Sequence, residues 1–181
     1  MAELTPFQTV GPFFEVAVPA PGRSPRIRPG TEGRRIRIEG TVRDGAGAPV
    51  PDALIETWQA DAAGRYPGSQ SDAARFDGFA RIPTDDMGRF ELVTILPGSV
   101  PGPGEAPQAP HLVVGVLARG ILTRLVTRIY FEGVPGNEDD AILARVPAPR
   151  RETLIARSIG EDRFRFDIVL QGEHETVFFD V

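Results

Sequence analysis

Short runs in which apolar and polar residues alternate dominate the chain, and a two-residue period is the mark of half-buried strands. In Arg35-Ile36-Arg37-Ile38 the isoleucines point one way and the arginines the other. Arg163-Phe164-Arg165-Phe166-Asp167-Ile168 repeats this more strongly, and Ala53 to Gln59, Arg89 to Ile95, Leu122 to Phe131 and Thr176 to Phe179 alternate as well. Turn residues separate the runs: Asp44-Gly45, Gly47-Ala48-Pro49, Met87-Gly88, Pro97-Gly98 and Gln171-Gly172-Glu173. Ala109 to Gly120, as one unbroken strand, places His111, Val113, Gly115, Leu117 and Arg119 on one face. Two segments look helical: Asn137 to Leu143, with Asn137 as N-cap, and Arg150 to Arg157. About eight short strands with turns between them predict an all-β fold, a β-sandwich with long loops and one or two short helices. Residues 1–33 read as an irregular arm and 34–181 as one domain. From Leu96 to Pro110 prolines and glycines crowd together, a long loop of the kind that often carries function.

Composition narrows the chemistry. The 181 residues suit one domain, and 41% apolar content excludes a disordered chain. There is no Cys, so disulfides, thiol nucleophiles and iron–sulfur clusters are excluded. All 20 basic residues are Arg, which excludes a Schiff-base or phosphate-loop lysine. The net charge of −5 with no basic stripe argues against a nucleic-acid partner. No run of ~20 apolar residues predicts a membrane span, and Met1 to Phe14 lacks the look of a secretory leader. A cytoplasmic protein is the expectation. No G-x-S-x-G elbow is present. The pairs Asp85-Asp86 and Asp139-Asp140 read as a turn and a solvated helix start.

Three places hold the remaining candidates. One is the run to Trp58 and Tyr66; by pattern, Trp58 is a core anchor and Tyr66 a surface ring. The second is His111 at the head of its strand, by pattern a hydrogen-bonded structural histidine. The third is the strap Gln8-Thr9-Val10-Gly11-Pro12-Phe13-Phe14, by pattern a segment packed on the core or on a partner.

Gly40-x-Val42-x-Asp44, followed by Glu56-x-Trp58-Gln59-Ala60-Asp61-x-x-Gly64-x-Tyr66, resembles the core signature of the intradiol ring-cleavage dioxygenases. The resemblance covers almost the whole chain. Ala118-Arg119-Gly120, Arg150-Arg151-Glu152-Thr153-Leu154-Ile155-Ala156 and Gln171-Gly172-Glu173 to Asp180 resemble the alpha subunits of the family's two-chain members. The resemblance implies a mixed-topology β-sandwich and a chemistry in which two Tyr and two His hold non-haem Fe(III). Tyr66 matches the first Tyr position and His111 the first His. Val113 stands where the second His belongs, and Ser99 to Ala109 contain no Tyr.

The resemblance therefore implies a chain with no catalytic residue and no metal of its own, in which Tyr66 and His111 are vestigial ligand positions. It places Fe(III) in a beta subunit that cleaves an aromatic carboxylate, 3,4-dihydroxybenzoate. Thr9, Gly11, Pro12, Phe13 and Arg119 are then expected to bind substrate as a wall of that subunit's pocket. Two readings of Arg119 stand: a clamp on the substrate carboxylate, or an ion pair with an acid at the subunit interface. Two other functions compete: a self-standing β-sandwich module binding an aromatic acid without catalysis, and an independent dioxygenase with a substituted metal site.

Overall fold

Where the chain alternates, it forms strands. The structure is a computed structural model and describes residues 8–11, 14, 24–25, 27–68, 76–102 and 106–180. Nine strands are present among them: β1 Arg35–Arg43, β2 Leu54–Gln59, β3 Phe79–Pro83, β4 Arg89–Ile95, β5 Leu112–Leu117, β6 Leu125–Phe131, β7 Ile155–Gly160, β8 Arg163–Arg165 and β9 Ile168–Val169. They pair in the order β3-β2-β5-β6-β7-β8-β1-β4, with β9 beside β1. Most pairs are antiparallel, but β1 runs parallel to β8 and β9, and β6 runs parallel to β7. The topology is thus mixed. The β6–β7 link is short, Tyr130 opposite Ile155 and Phe131 opposite Ala156, and joins two halves of the path that share one core.

Alternation explains that core. Ile36 and Ile38 of β1, Phe90 and Leu92 of β4 and Phe164 of β8 meet Ile55 of β2, Val114 and Val116 of β5 and Phe131 of β6. Phe131 meets Phe164 edge-on, ring centres 5.0 Å apart. Gln59 is a polar side chain that sits fully inside. The Gln59 amide oxygen accepts from the Thr94 hydroxyl at 2.7 Å, and its NH2 donates to the Ile95 carbonyl at 2.9 Å. With its bonds made, the amide ties β2 to β4 across the core instead of costing stability there. On the outer face the β1 and β8 arginines find exposed partners, Arg37 with Glu91 and Arg163 with Glu39, pairs of small energetic weight.

The structure corrects several expectations. The strand expected from Ala109 to Gly120 is confined to Leu112–Leu117, so His111 lies just before it and Arg119 beyond its end. β6 starts at Leu125 rather than Leu122, and Thr176 to Phe179 makes a single bridge, Phe179 to Val126, instead of a strand. β3 was not anticipated; Phe79–Pro83 is brief and carries a proline at its end, where a strand tolerates one. The expected helix at Asn137 is a three-residue 3-10 turn capped by Gly136 in the left-handed region (φ 105°). Asn137 does not cap it; its side-chain NH2 donates to the Phe131 carbonyl. The other expected helix divides into a 3-10 segment, Ala148–Leu154, and strand β7, because Ile155 and Ala156 gain a ladder with β6. Trp58 is not a core anchor. It shares the outward parity of Glu56 while Ile55, Thr57 and Gln59 face in, and it is 37% exposed.

Candidate functional site

The loop after β2 is built by one carboxylate. Asp61 Oδ1 accepts from the backbone N–H groups of Ala63 and Arg65, both at 2.9 Å, and Oδ2 accepts from the Arg65 guanidinium. Burial works to raise the Asp61 pKa, but these hydrogen bonds outweigh it and leave the group below its ordinary value. Gly64 closes the turn with φ +76°, and a Cβ there would stand 1.9 Å from the Ser99 carbonyl oxygen. This delivers Tyr66 onto Trp58, rings stacked at 5.9 Å and 11°. Burial pushes the Tyr66 phenol above its usual pKa, offset in part by the Arg128 charge.

The β5–β6 ladder supplies the other wall. Val113 pairs directly with Arg128, so the next pair on the same face is His111 with Tyr130. Their rings lie 5.7 Å apart. His111 is 3% exposed, and its Nδ1–H donates to the Ala109 carbonyl at 2.7 Å. A carbonyl only accepts, which fixes the tautomer and leaves Nε2 as the lone-pair nitrogen. Burial drives the His111 pKa below its usual value, so the ring is neutral at pH 7. Behind the pair sits Asp140, fully buried. It accepts from Ala109 N–H (2.8 Å), the Tyr130 hydroxyl (3.1 Å), Ile142 N–H (2.9 Å) and Leu143 N–H (2.8 Å). Burial pushes the Tyr130 pKa up to about 12. The Arg128 guanidinium donates through Nη1 to Gln108 Oε1 at 2.7 Å and to the Tyr130 oxygen at 3.3 Å. Gln108 is the gift of the long Pro/Gly loop, which doubles back through a bridge between Val100 and Gln108.

Further along the same outer face, Arg81 grips Glu56 through two nitrogens and Arg124 reaches it at 3.5 Å. The Arg124 guanidinium lies over Gly115, where a Cβ would stand 2.1 Å from Nε and the arginine would have to shift.

Tyr66 and His111, the two positions named from sequence as vestigial, both lie within electrostatic reach of Arg128. The expected substrate-binding residues lie elsewhere. The Thr9 hydroxyl accepts from Gly120 N–H at 2.9 Å, so the strap and the Ala118–Ile121 turn meet at the far end of β5 from His111. Thr9 and Gly11 are exposed; Pro12 and Phe13 lie outside the described residues. Arg119 is exposed and bonds Asp52 of its own chain through Nε. Sequence reasoning set Tyr130 aside as matching no ligand position, gave Arg128 and Gln108 no role, and misread Asp140 as solvated. Arg128 and Tyr130 share one parity on β6, which Arg124 continues just before the strand starts, and that was the available signal.

The donors do not fit an iron site. Val113 offers no ligand atom, and a guanidinium stands directly across from it. Among the described residues no three His, Cys, Asp or Glu side chains gather to hold a metal.

The chain belongs to the intradiol dioxygenase family: the family described as "Dioxygenase" matches residues 11–172. It is similar to the protocatechuate 3,4-dioxygenase alpha chain of Burkholderia cepacia, 41% identical over 98% of this chain and 97% of that one. It is 38% identical to the protocatechuate 3,4-dioxygenase beta chain of the same organism, over 80% of this chain and 67% of that one. Among solved structures, the dioxygenase domain of a dioxygenase–carbohydrate-binding fusion from Streptomyces sp. SirexAA-E matches with a TM-score of 0.64 at 31% identity, covering 94% of this chain and 99% of that one. No helix among the described residues is long and apolar enough to cross a membrane.

Proposed function

We propose that this chain is the alpha, non-iron-binding subunit of a protocatechuate 3,4-dioxygenase, and that it completes the active-site pocket of a beta subunit in the cytoplasm. In this reading the beta subunit holds Fe(III). With O2 it cleaves 3,4-dihydroxybenzoate between its hydroxylated carbons to 3-carboxy-cis,cis-muconate. The observation that carries the reading is the dismantled ligand set: Tyr66 and His111 persist, Val113 replaces a donor, and Arg128 faces it. The likeness to an alpha chain over nearly the full length of both proteins supports it.

The second support is geometric. Thr9, Gly11 and Arg119 are exposed and lie at the opposite end of β5 from His111, where they can face another subunit's pocket instead of this chain's own remnant. Asp52 engages only Nε of Arg119, which holds the guanidinium in place. The two terminal nitrogens remain to grip a carboxylate, of the substrate or of the partner.

The test is expression with and without the beta chain. Alone, the chain is expected to be colourless and inactive; with its partner it yields a complex showing the tyrosinate-to-iron visible band and oxygen uptake on 3,4-dihydroxybenzoate. A coloured, ring-cleaving single chain overturns the reading and favours an independent dioxygenase.

A further inference from the structure

Beside the vestigial ligand positions, on the outer face of β5 and β6, lies a groove of about 420 Å³. That volume lies within the ~300–1,000 Å³ typical of small-molecule sites. Its walls are mostly apolar, with Val113, Val126, Val146 and Phe179 prominent, and the Arg128 guanidinium forms part of the lining. Arg128 is half-buried, and among the described residues it makes no ion pair. Its described hydrogen bonds use Nη1 alone, to the neutral oxygens of Gln108 and Tyr130. They fix the plane of the guanidinium and leave Nε and Nη2 without a described acceptor. A cation oriented by neutral groups against apolar walls lacks its counter-ion.

We propose that the groove binds a small monocarboxylate with an apolar body, its carboxylate on Arg128 and its body along Val113, Val126 and Phe179. The walls select this class. A phosphate dianion would lose its hydration against valine and phenylalanine, and the Asp180 carboxylate in the lining, which opposes any anion, opposes a dianion twice as strongly as a monoanion. Arg145, also in the lining and exposed, adds to the pull on a single anion. The site consists of this chain's own residues, so it stands or falls independently of the role in a two-chain enzyme.

Trp58 is the only tryptophan and pairs with Val113 across β2 and β5, so its fluorescence reports on the groove. The experiment titrates the full-length chain with benzoate and with benzamide, a neutral molecule of nearly the same shape. Benzoate is expected to change Trp58 emission saturably, with benzamide at least about tenfold weaker. Arg128→Gln should weaken benzoate by a similar factor and leave benzamide unchanged, while Arg128→Lys recovers part of the loss. Equal binding of the two probes, no saturable response to either, or unaltered benzoate affinity in Arg128→Gln overturns the proposal. If Arg128→Gln does not fold, the two probes on the unaltered chain decide the matter.

Discussion

Asp140→Ala is expected to be among the most damaging single changes outside the apolar core. The carboxylate is fully buried and accepts four hydrogen bonds, three of them from buried donors: Ala109 N–H, the Tyr130 hydroxyl and Leu143 N–H. Truncation leaves all three without an acceptor. Each buried orphan donor costs ~1–3 kcal/mol, and local relaxation returns part of the sum. The net loss is about 3–5 kcal/mol, a large share of the ~5–15 kcal/mol of a typical domain. At a urea slope of ~2 kcal/mol per M this lowers the unfolding midpoint by about 2 M, and it lowers Tm by about 10 °C. Asp140→Asn should cost roughly half as much, since its one carbonyl oxygen still accepts while its NH2 turns a donor toward a donor. Asp139→Ala, at the exposed neighbour, is the control and should stay within ~0.5 kcal/mol. A loss below about 1 kcal/mol in Asp140→Ala would refute the reasoning, because it would mean that water or a shifted backbone satisfies those donors at no cost.

Gly64→Ala should destabilise by about 2–4 kcal/mol in chemical denaturation, from the positive φ and the collision with the Ser99 carbonyl; a change under 1 kcal/mol would contradict the turn geometry. His111 has a folded-state pKa below its unfolded value of ~6.5, so the unfolded chain takes up the proton more readily. Its stabilising contribution is full above pH ~6.5 and is lost as pH falls through the folded pKa. Urea midpoints between pH 7.5 and 5 should show this loss, and His111→Asn should flatten it. Val113→His alone should fail to hold Co2+, since a guanidinium ~6 Å from the metal costs a dication about 5 kcal/mol at an effective dielectric of ~20. The double change Val113→His with Arg128→Gln should bind it visibly, and equal binding by both proteins would rule out the repulsion. Within the two-chain complex, Arg119→Gln should raise KM for 3,4-dihydroxybenzoate about tenfold or more with a smaller effect on kcat; an unchanged KM assigns Arg119 to the subunit interface.

The strands were legible wherever one face is buried, because Ile36, Ile38, Phe164 and Phe166 can satisfy only a two-residue period. The edges of those strands were not. Leu122 and Thr123 continue the alternation into a segment where Gly120 has already turned the chain and no partner strand is in reach. The 3-10 segments were mistaken for helices because Asn137 to Leu143 and Arg150 to Arg157 carry helix-forming residues, while the competing bonds come from the distant β6. Asp140 shows the limit most clearly. In sequence it is one of two adjacent acids and invites a solvent-exposed reading. Its burial follows from Ala109 and Tyr130 lying opposite it, and pairings 31 and 10 residues away leave no local trace. Tyr66 and His111 stood out by pattern, but only the resemblance marked them as ligand positions; what surrounds them came from the ladder register.

A metal ion ties together the segments that donate its ligands, and a chain whose donors do not fit one needs another tie. Here Asp140 bonds the Pro/Gly loop through Ala109, strand β6 through Tyr130 and its own turn through Ile142 and Leu143. Arg128 adds a second strut to the loop through Gln108. The same arrangement removes the hazards of an empty ligand set. Valine at position 113 leaves no orphan nitrogen, the Ala109 carbonyl occupies the His111 proton, and the Arg128 charge further favours the neutral imidazole. Side chains placed for coordination in a catalytic relative would be costly buried polar groups without their metal. In this chain His111, Tyr130 and Arg128 are each held by a neighbour, so the scaffold gains order from this region. On the proposed reading, that order also steadies the scaffold that presents the exposed Thr9 and Arg119 at the other end of β5.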